Sequence, residues 1–267
     1  MQQFIVSTDC RKIFVAVISV LIFILGVPGT EIVAQNVLDH LSQGDEFAAQ
    51  FDHQKALEEY KKAFDADTSN CTALWKIAEA YVNLGEEADE KVKRQYFYLA
   101  ERWAQKAVAL CPHTANAHFM LAVATGRVAL YEGGKAKIER SKEVKTLAEK
   151  TLELDPDHHG AYHVLGRWHF ELASLSWFLK TAAKIIYGGV PPGASYEKAV
   201  ANLKKAIEIS PQWINHHKQL GLVYMKMAKW DRARKEFQRV LELPVADHQD
   251  EAHKEDCRKL LEEIEDK

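Results

Sequence analysis

The stretch LGLVYMKMAKWDRARKEFQRVLELP, Leu220 to Pro244, decides the architecture. Leu220-Gly221 is followed by Tyr224, then by Ala233, Phe237 and Val240 in a four-then-three spacing, and a proline ends the unit. The same spacing recurs upstream. Ala199, Leu203 and Ala206 precede Pro211; Val144, Ala148 and Thr151 precede Pro156; Ala100, Ala104 and Ala107 precede Pro112. Ala56, Tyr60 and Ala63 precede Asp67-Thr68, where the proline is missing. The first half of the unit recurs as Ile77-Ala78 with Tyr81, Leu121-Ala122 with Thr125 and Leu165-Gly166 with His169.

This pattern describes two antiparallel helices per unit. Small residues (Ala78, Ala122, Gly166, Gly221) let helix A approach helix B, and large ones (Tyr60, Leu203, Phe237) fill the seam one turn away. The residue before each proline avoids the helical region, so helix B stops there. Offsets repeated in several copies identify the tetratricopeptide repeat. The expected fold is all-α: a tetratricopeptide-type helical solenoid of about five helix pairs over roughly 36–244. An amphipathic helix at Ala246–Lys267, with Ala252, Cys257, Leu260, Leu261 and Ile264 on its apolar side, would cap the last open face.

Composition agrees and excludes other classes. The 267 residues are 47% hydrophobic and 27% charged, enough for a large core. A net charge of -3 argues against a nucleic-acid binder, and four Cys do not build a disulfide scaffold. Cys71, Cys111 and Cys257 read as small buried apolar residues, since three cysteines cannot all pair within one mature chain.

The chain opens differently. Arg11-Lys12 precedes a charge-free run from Ile13 to Val27, Pro28-Gly29 breaks it, and Ala34-Gln35 offers a cleavage position. Residues 1–35 are read as a signal peptide, or alternatively as a retained N-terminal anchor, since the run is short for a membrane span. Residues 36–267 form the repeat domain, exported to a periplasmic or extracellular space if the signal is cleaved and membrane-anchored if it is not.

Extra length distinguishes the units. Unit 2 carries an excess at Glu86–Gln95, between its helices, and unit 3 a similar one near Tyr131–Ser141. Unit 4 has the longest insert, Glu171–Ser195. There Leu172 to Ile186 would prolong helix A until Gly188-Gly189 stops it, and Pro191-Pro192 makes a rigid turn. Trp177, Phe178, Lys180 and Lys184 mark its surface. The insert either packs on neighbouring repeats or offers an apolar wall to a lipid, a membrane or a partner helix. Repeat register places Trp75, Phe119, His163, Arg167, Phe170 and Lys218 on the concave groove. An aromatic groove with two cations suits an acidic amphipathic peptide or an anionic lipid.

Catalytic chemistry is not indicated: no phosphate loop, G-x-S-x-G, H-E-x-x-H or C-x-x-C occurs. His159 and His163 share a helical face, but polar helix-start residues are the expectation, as for His158; no metal site and no cofactor are expected. His216-His217 are consecutive and point different ways. The run Lys135, Lys137, Arg140, Lys142, Lys145, interrupted by Glu139 and Glu143, reads as a solvated face.

One stretch is more specific than a generic repeat. Leu165-Gly166-Arg167-Trp168, Glu171, Ala173, Leu175-Ser176-Trp177, Ala182-Ala183, Tyr187-Gly188 and Pro191-Pro192 before Ser195-Tyr196 resemble the regulator of microtubule dynamics family. The resemblance runs from about Leu38 to the C-terminus. It implies a non-enzymatic helical scaffold that binds a protein or peptide, with tubulin or the microtubule as a partner. It also implies a phospholipid-binding or lipid-transfer role as the alternative, and a cytoplasmic or mitochondrial setting if the source is eukaryotic. The chain departs from the anchored animal members, because no long linker or coiled coil follows its apolar run.

Overall fold

The structure is a computed structural model that describes residues 28–132 and 134–267; the side chains of residues 28–32 and of Trp177, Phe178 and Tyr187 lie outside the described set. The apolar run Ile13–Val27, which carries the expected signal or anchor, also lies outside it.

Every described element is helical, and the helices pair as the repeat requires. Helix α1 (Pro28–Ala49) packs on α2 (His53–Ala66), α3 (Cys71–Glu87) on α4 (Glu90–Leu110), and α5 (Ala115–Val128) on α6 (Gly134–Leu154). Helix α7 (His159–Ser174) packs on α9 (Tyr196–Ile209), and α10 (Ile214–Lys226) on α11 (Trp230–Glu242). Helix α8 (Trp177–Tyr187) interrupts the fourth pair, and α12 (Asp250–Glu263) caps α10 and α11. Helices α4, α6, α9 and α11 end two residues before Pro112, Pro156, Pro211 and Pro244 respectively.

Close approach within pairs rests on missing side-chain volume. A Cβ on Gly166 would stand 2.6 Å from Leu203 Cγ, and one on Gly221 2.3 Å from Phe237 Cε1. Tyr60, Leu203 and Phe237 are in consequence fully buried. Packing begins at Val37 and Leu41, whereas residues 33–36 are exposed. Helix α1 nevertheless starts at Pro28, so the expected boundary at 35/36 falls inside a continuous helix.

The apolar core divides into two clusters. One joins α1 to α5; the other joins α9 to α12. Between them the junction is filled by Trp168, whose Nε1 donates to Ser141 O at 2.8 Å, and by several histidines.

The excess expected between the helices of unit 2 falls at their junction and lengthens both, α3 to Glu87 and α4 from Glu90, because the segment is rich in helix formers. Two expectations are corrected. Helix A of unit 4 does not run through the insert. It stops at Ser174, and Ser176, with its Oγ accepting from Leu179 N–H at 3.3 Å, starts α8 as a separate helix. Cys71 and Cys111 are disulfide-bonded, with Cα atoms 5.9 Å apart. They occupy the start of α3 and the end of α4, which an antiparallel pair brings together; among the described residues Cys257 is the free thiol, and it is buried.

Candidate functional site

The concave face is built by the first helices of successive units. Trp75 is half-buried on the N-terminal core and lies under the Lys76 ammonium, 4.6 Å from the ring centroid. Phe119 fills the seat left by Gly160, where a Cβ would be 2.6 Å from Phe119 Cζ, and its ring centroid is 4.5 Å from that of His158. Phe170 packs against Tyr196 on the C-terminal core. Phe119 therefore joins unit 3 to unit 4, whereas Phe170 packs within its own helix pair and Trp75 on the N-terminal core.

Charges are unevenly used. Burial raises the Glu79 carboxyl above its usual range. Arg127 pairs with Glu86. Arg167 reaches only a loose pair, 3.8 Å from Glu171 Oε1, and desolvation followed by the neighbouring Arg127 weakens its hold on a proton. Lys218 is not a free cation: its Nζ donates to Asp256 Oδ2 at 2.5 Å and lies 3.1 Å from His253 Nδ1, both on α12.

The histidines meet across units 3 to 5. His158 Nδ1 accepts from Ala161 N–H at 3.1 Å, which places its proton on Nε2 facing Asn116 Oδ1 at 3.0 Å. His216 is 1% exposed and sits between His159 and His163, each 2.9 Å away nitrogen to nitrogen. Desolvation and the neighbouring His159 lower His216 to about 3, and desolvation drives His163 well below its usual value. A chain of three imidazoles results, buried at its centre and held towards the neutral form. Consecutive position on a helix hid the role of His216, since only the fold brings α7 and α10 together.

The C-terminal segment also enters the concave face. The turn between α11 and α12 is fixed by Asp250, which accepts from Ala246 and Asp247 N–H at 2.9 and 2.8 Å. It carries His248 to His53 at the start of α2, with ring centroids 4.7 Å apart. A small polar cavity of about 80 Å³ remains behind it, walled by Glu86, Arg127, Trp213, Asn215 and His253 among others. The last unit is thus joined to the first two across the groove.

The unit 4 insert stays outside. Helix α8 meets the body mainly through α6, and leaves Leu179 52%, Ile185 80% and Ile186 64% exposed. Lys180 Nζ donates to Ala173 O at 3.1 Å, whereas Lys184 is exposed. Gly188, Gly189 and Gly193 all have positive φ and shape the turn that returns the chain to α9. The expected roles of Trp177 and Phe178 fall on side chains outside the described set.

Five antiparallel helix pairs and a capping helix define a tetratricopeptide-type solenoid. A thermophilic TPR protein of Thermus thermophilus has a similar fold, at a TM-score of 0.64 and 15% identity over 84% of this chain and 99% of that one. The profile described as Regulator of microtubule dynamics protein 1-3 matches residues 40–265, and the chain belongs to that family. It is 28% identical over 214 residues to Regulator of microtubule dynamics protein 1 of Bos taurus, covering 79% of this chain and 66% of the relative. The Caenorhabditis elegans protein of the same name is 27% identical over 207 residues, covering 78% and 91%. Against other mammalian relatives the chain spans from 47% of their length, for protein 3 of Rattus norvegicus, to 69%, for protein 1 of Mus musculus.

Proposed function

We propose that this chain is a non-enzymatic interaction scaffold whose repeats hold out α8 as the contact for a partner protein. The exposure of Leu179, Ile185 and Ile186 carries the reading. The repeat helices expose single aliphatics such as Leu38 and Leu110, whereas this short helix presents three to solvent, two of them adjacent, and exposed apolar surface marks interaction sites. The concave groove is a poorer candidate, because Phe119 and Phe170 are engaged in packing and the chain's own C-terminal segment enters it.

Family membership makes the microtubule the first partner to test. A phospholipid surface is the second reading, supported by exposed Lys184 beside Ile185 and Ile186, a cationic and apolar combination that lies well in a membrane interface. Among the described residues no helix is long and apolar enough to cross a membrane. The Cys71–Cys111 bond supports work in an oxidising compartment, as does the export-like run before the domain. In such a compartment an exported protein or a lipid surface would take the place of the microtubule.

The test is co-sedimentation of the full chain with purified microtubules and, in parallel, with anionic phospholipid vesicles. The Ile185→Ser/Ile186→Ser double variant should lose binding at least tenfold while keeping its melting temperature. Binding that the double variant retains, or absence of binding to both surfaces, overturns the reading.

A further inference from the structure

We propose that His53, Glu87 and His248 form a binding site for a transition-metal ion of the Zn2+ class, which ties the C-terminal segment to the first two repeats. The three residues come from the start of α2, the end of α3 and the turn before α12. One ligand atom from each lies within 4.8 Å of the other two. His53 Nε2 is 3.4 Å from Glu87 Oε1. That separation matches the edge of a tetrahedron with metal–ligand bonds of about 2.1 Å, which is roughly 3.4 Å. A modest side-chain adjustment brings the third atom to the same edge, and the Glu87 side chain is 41% exposed and able to move.

The site also answers a deficit in the fold. His53 is 5% exposed, yet neither of its ring nitrogens has a hydrogen-bond partner among the described residues, and His248 Nε2 is likewise buried without one. Buried polar atoms are normally satisfied, and an unpartnered nitrogen from each of two neighbouring imidazoles calls for a shared ligand. Asp247 Oδ1 lies 3.4 Å from His248 Nδ1 and accepts from Gln249 N–H at 2.9 Å. A carboxylate behind the remote nitrogen is the usual device for orienting a metal-bound imidazole and directing its other nitrogen to the ion.

Two imidazoles and one carboxylate favour a borderline transition metal over Ca2+ or Mg2+, which take oxygen ligands. The charges of Glu87 and Asp247 balance a divalent ion. Three protein ligands leave a fourth position for water or for a donor group of a bound partner.

The experiment is calorimetric titration of Zn2+ into the chelator-treated full chain, with Co2+ as an optical probe of tetrahedral coordination. The wild type should bind one equivalent, show the Co2+ visible bands and melt at higher temperature with the metal. Glu87→Gln and His248→Gln should each weaken binding at least tenfold and erase the bands, with helical circular dichroism unchanged. His159→Gln, which alters the separate histidine chain, should bind as the wild type does. Absence of binding to the wild type overturns the proposal. So does unchanged affinity in both ligand variants, or loss confined to His159→Gln.

Discussion

Gly221 of α10 lies against the ring of Phe237 of α11, so that a Cβ at position 221 would stand 2.3 Å from Phe237 Cε1. Phe237 is fully buried, and its ring has no room to withdraw. Alanine would gain about 1 kcal/mol of helix propensity at this position. Overpacking costs about 1–3 kcal/mol and dominates. Gly221→Ala should therefore lower stability by up to about 2 kcal/mol in urea unfolding. Gly126→Ala is the control: its Cβ would meet Val144 Cγ2 at an ordinary 3.7 Å, and it should be neutral or stabilising.

The disulfide closes a loop with a sequence separation of 40. Chain-entropy arguments make such a loop worth about 4 kcal/mol against the unfolded state. Reduction, or the Cys71→Ser/Cys111→Ser pair, should lower the urea midpoint accordingly. Thiol titration of the unfolded oxidised chain should find neither cysteine reactive.

Acid should destabilise the junction between the two cores. His216 titrates near 3 in the folded chain against 6.5 unfolded, and His158, His159 and His163 are lowered as well, by desolvation first. The unfolded chain thus binds more protons, so stability is complete above about pH 6.5 and is lost as pH falls towards 3. His216 alone should remove about 1.5 kcal/mol between pH 6.5 and 5. His216→Asn should flatten this slope, as urea titrations at a series of pH values would show.

Lys218 and Asp256 should matter more than other ion pairs on α12. The Lys218 side chain is only 12% exposed, and removing Asp256 leaves its ammonium facing His253. Asp256→Ala should cost about 1 kcal/mol, a figure moderated by the 52% exposure of Asp256. Glu255→Ala, which breaks the exposed pair with Arg258, should change stability by less than about 0.5 kcal/mol. Thermal melts of the two variants make the comparison.

The helix pairs were legible because each unit repeats a local spacing, and the prolines at 112, 156, 211 and 244 mark the ends of their helices. Seams were legible where a small residue in one copy faced a large one in the next helix, as with Gly166 and Leu203. What escaped depends on contacts between distant segments. Nothing near Cys71 announces Cys111, and His53, Glu87 and His248 lie in three separate units. His216 gains its surroundings only when α7 and α10 meet. The insert was read as one long helix because its apolar residues keep a helical rhythm across Ser174–Ser176, where the cap at Ser176 breaks it.

The Cys71–Cys111 bond has a mechanical consequence. A solenoid held only by neighbour contacts pays out its units one by one when pulled from its ends. Here the load path passes through the sulfur bridge and bypasses α3 and α4 altogether. Some 40 residues, about 140 Å of extended chain, would be withheld from the stretched length until a reductant is added. Unit 2 would remain a covalently closed hairpin while the units on either side were drawn out.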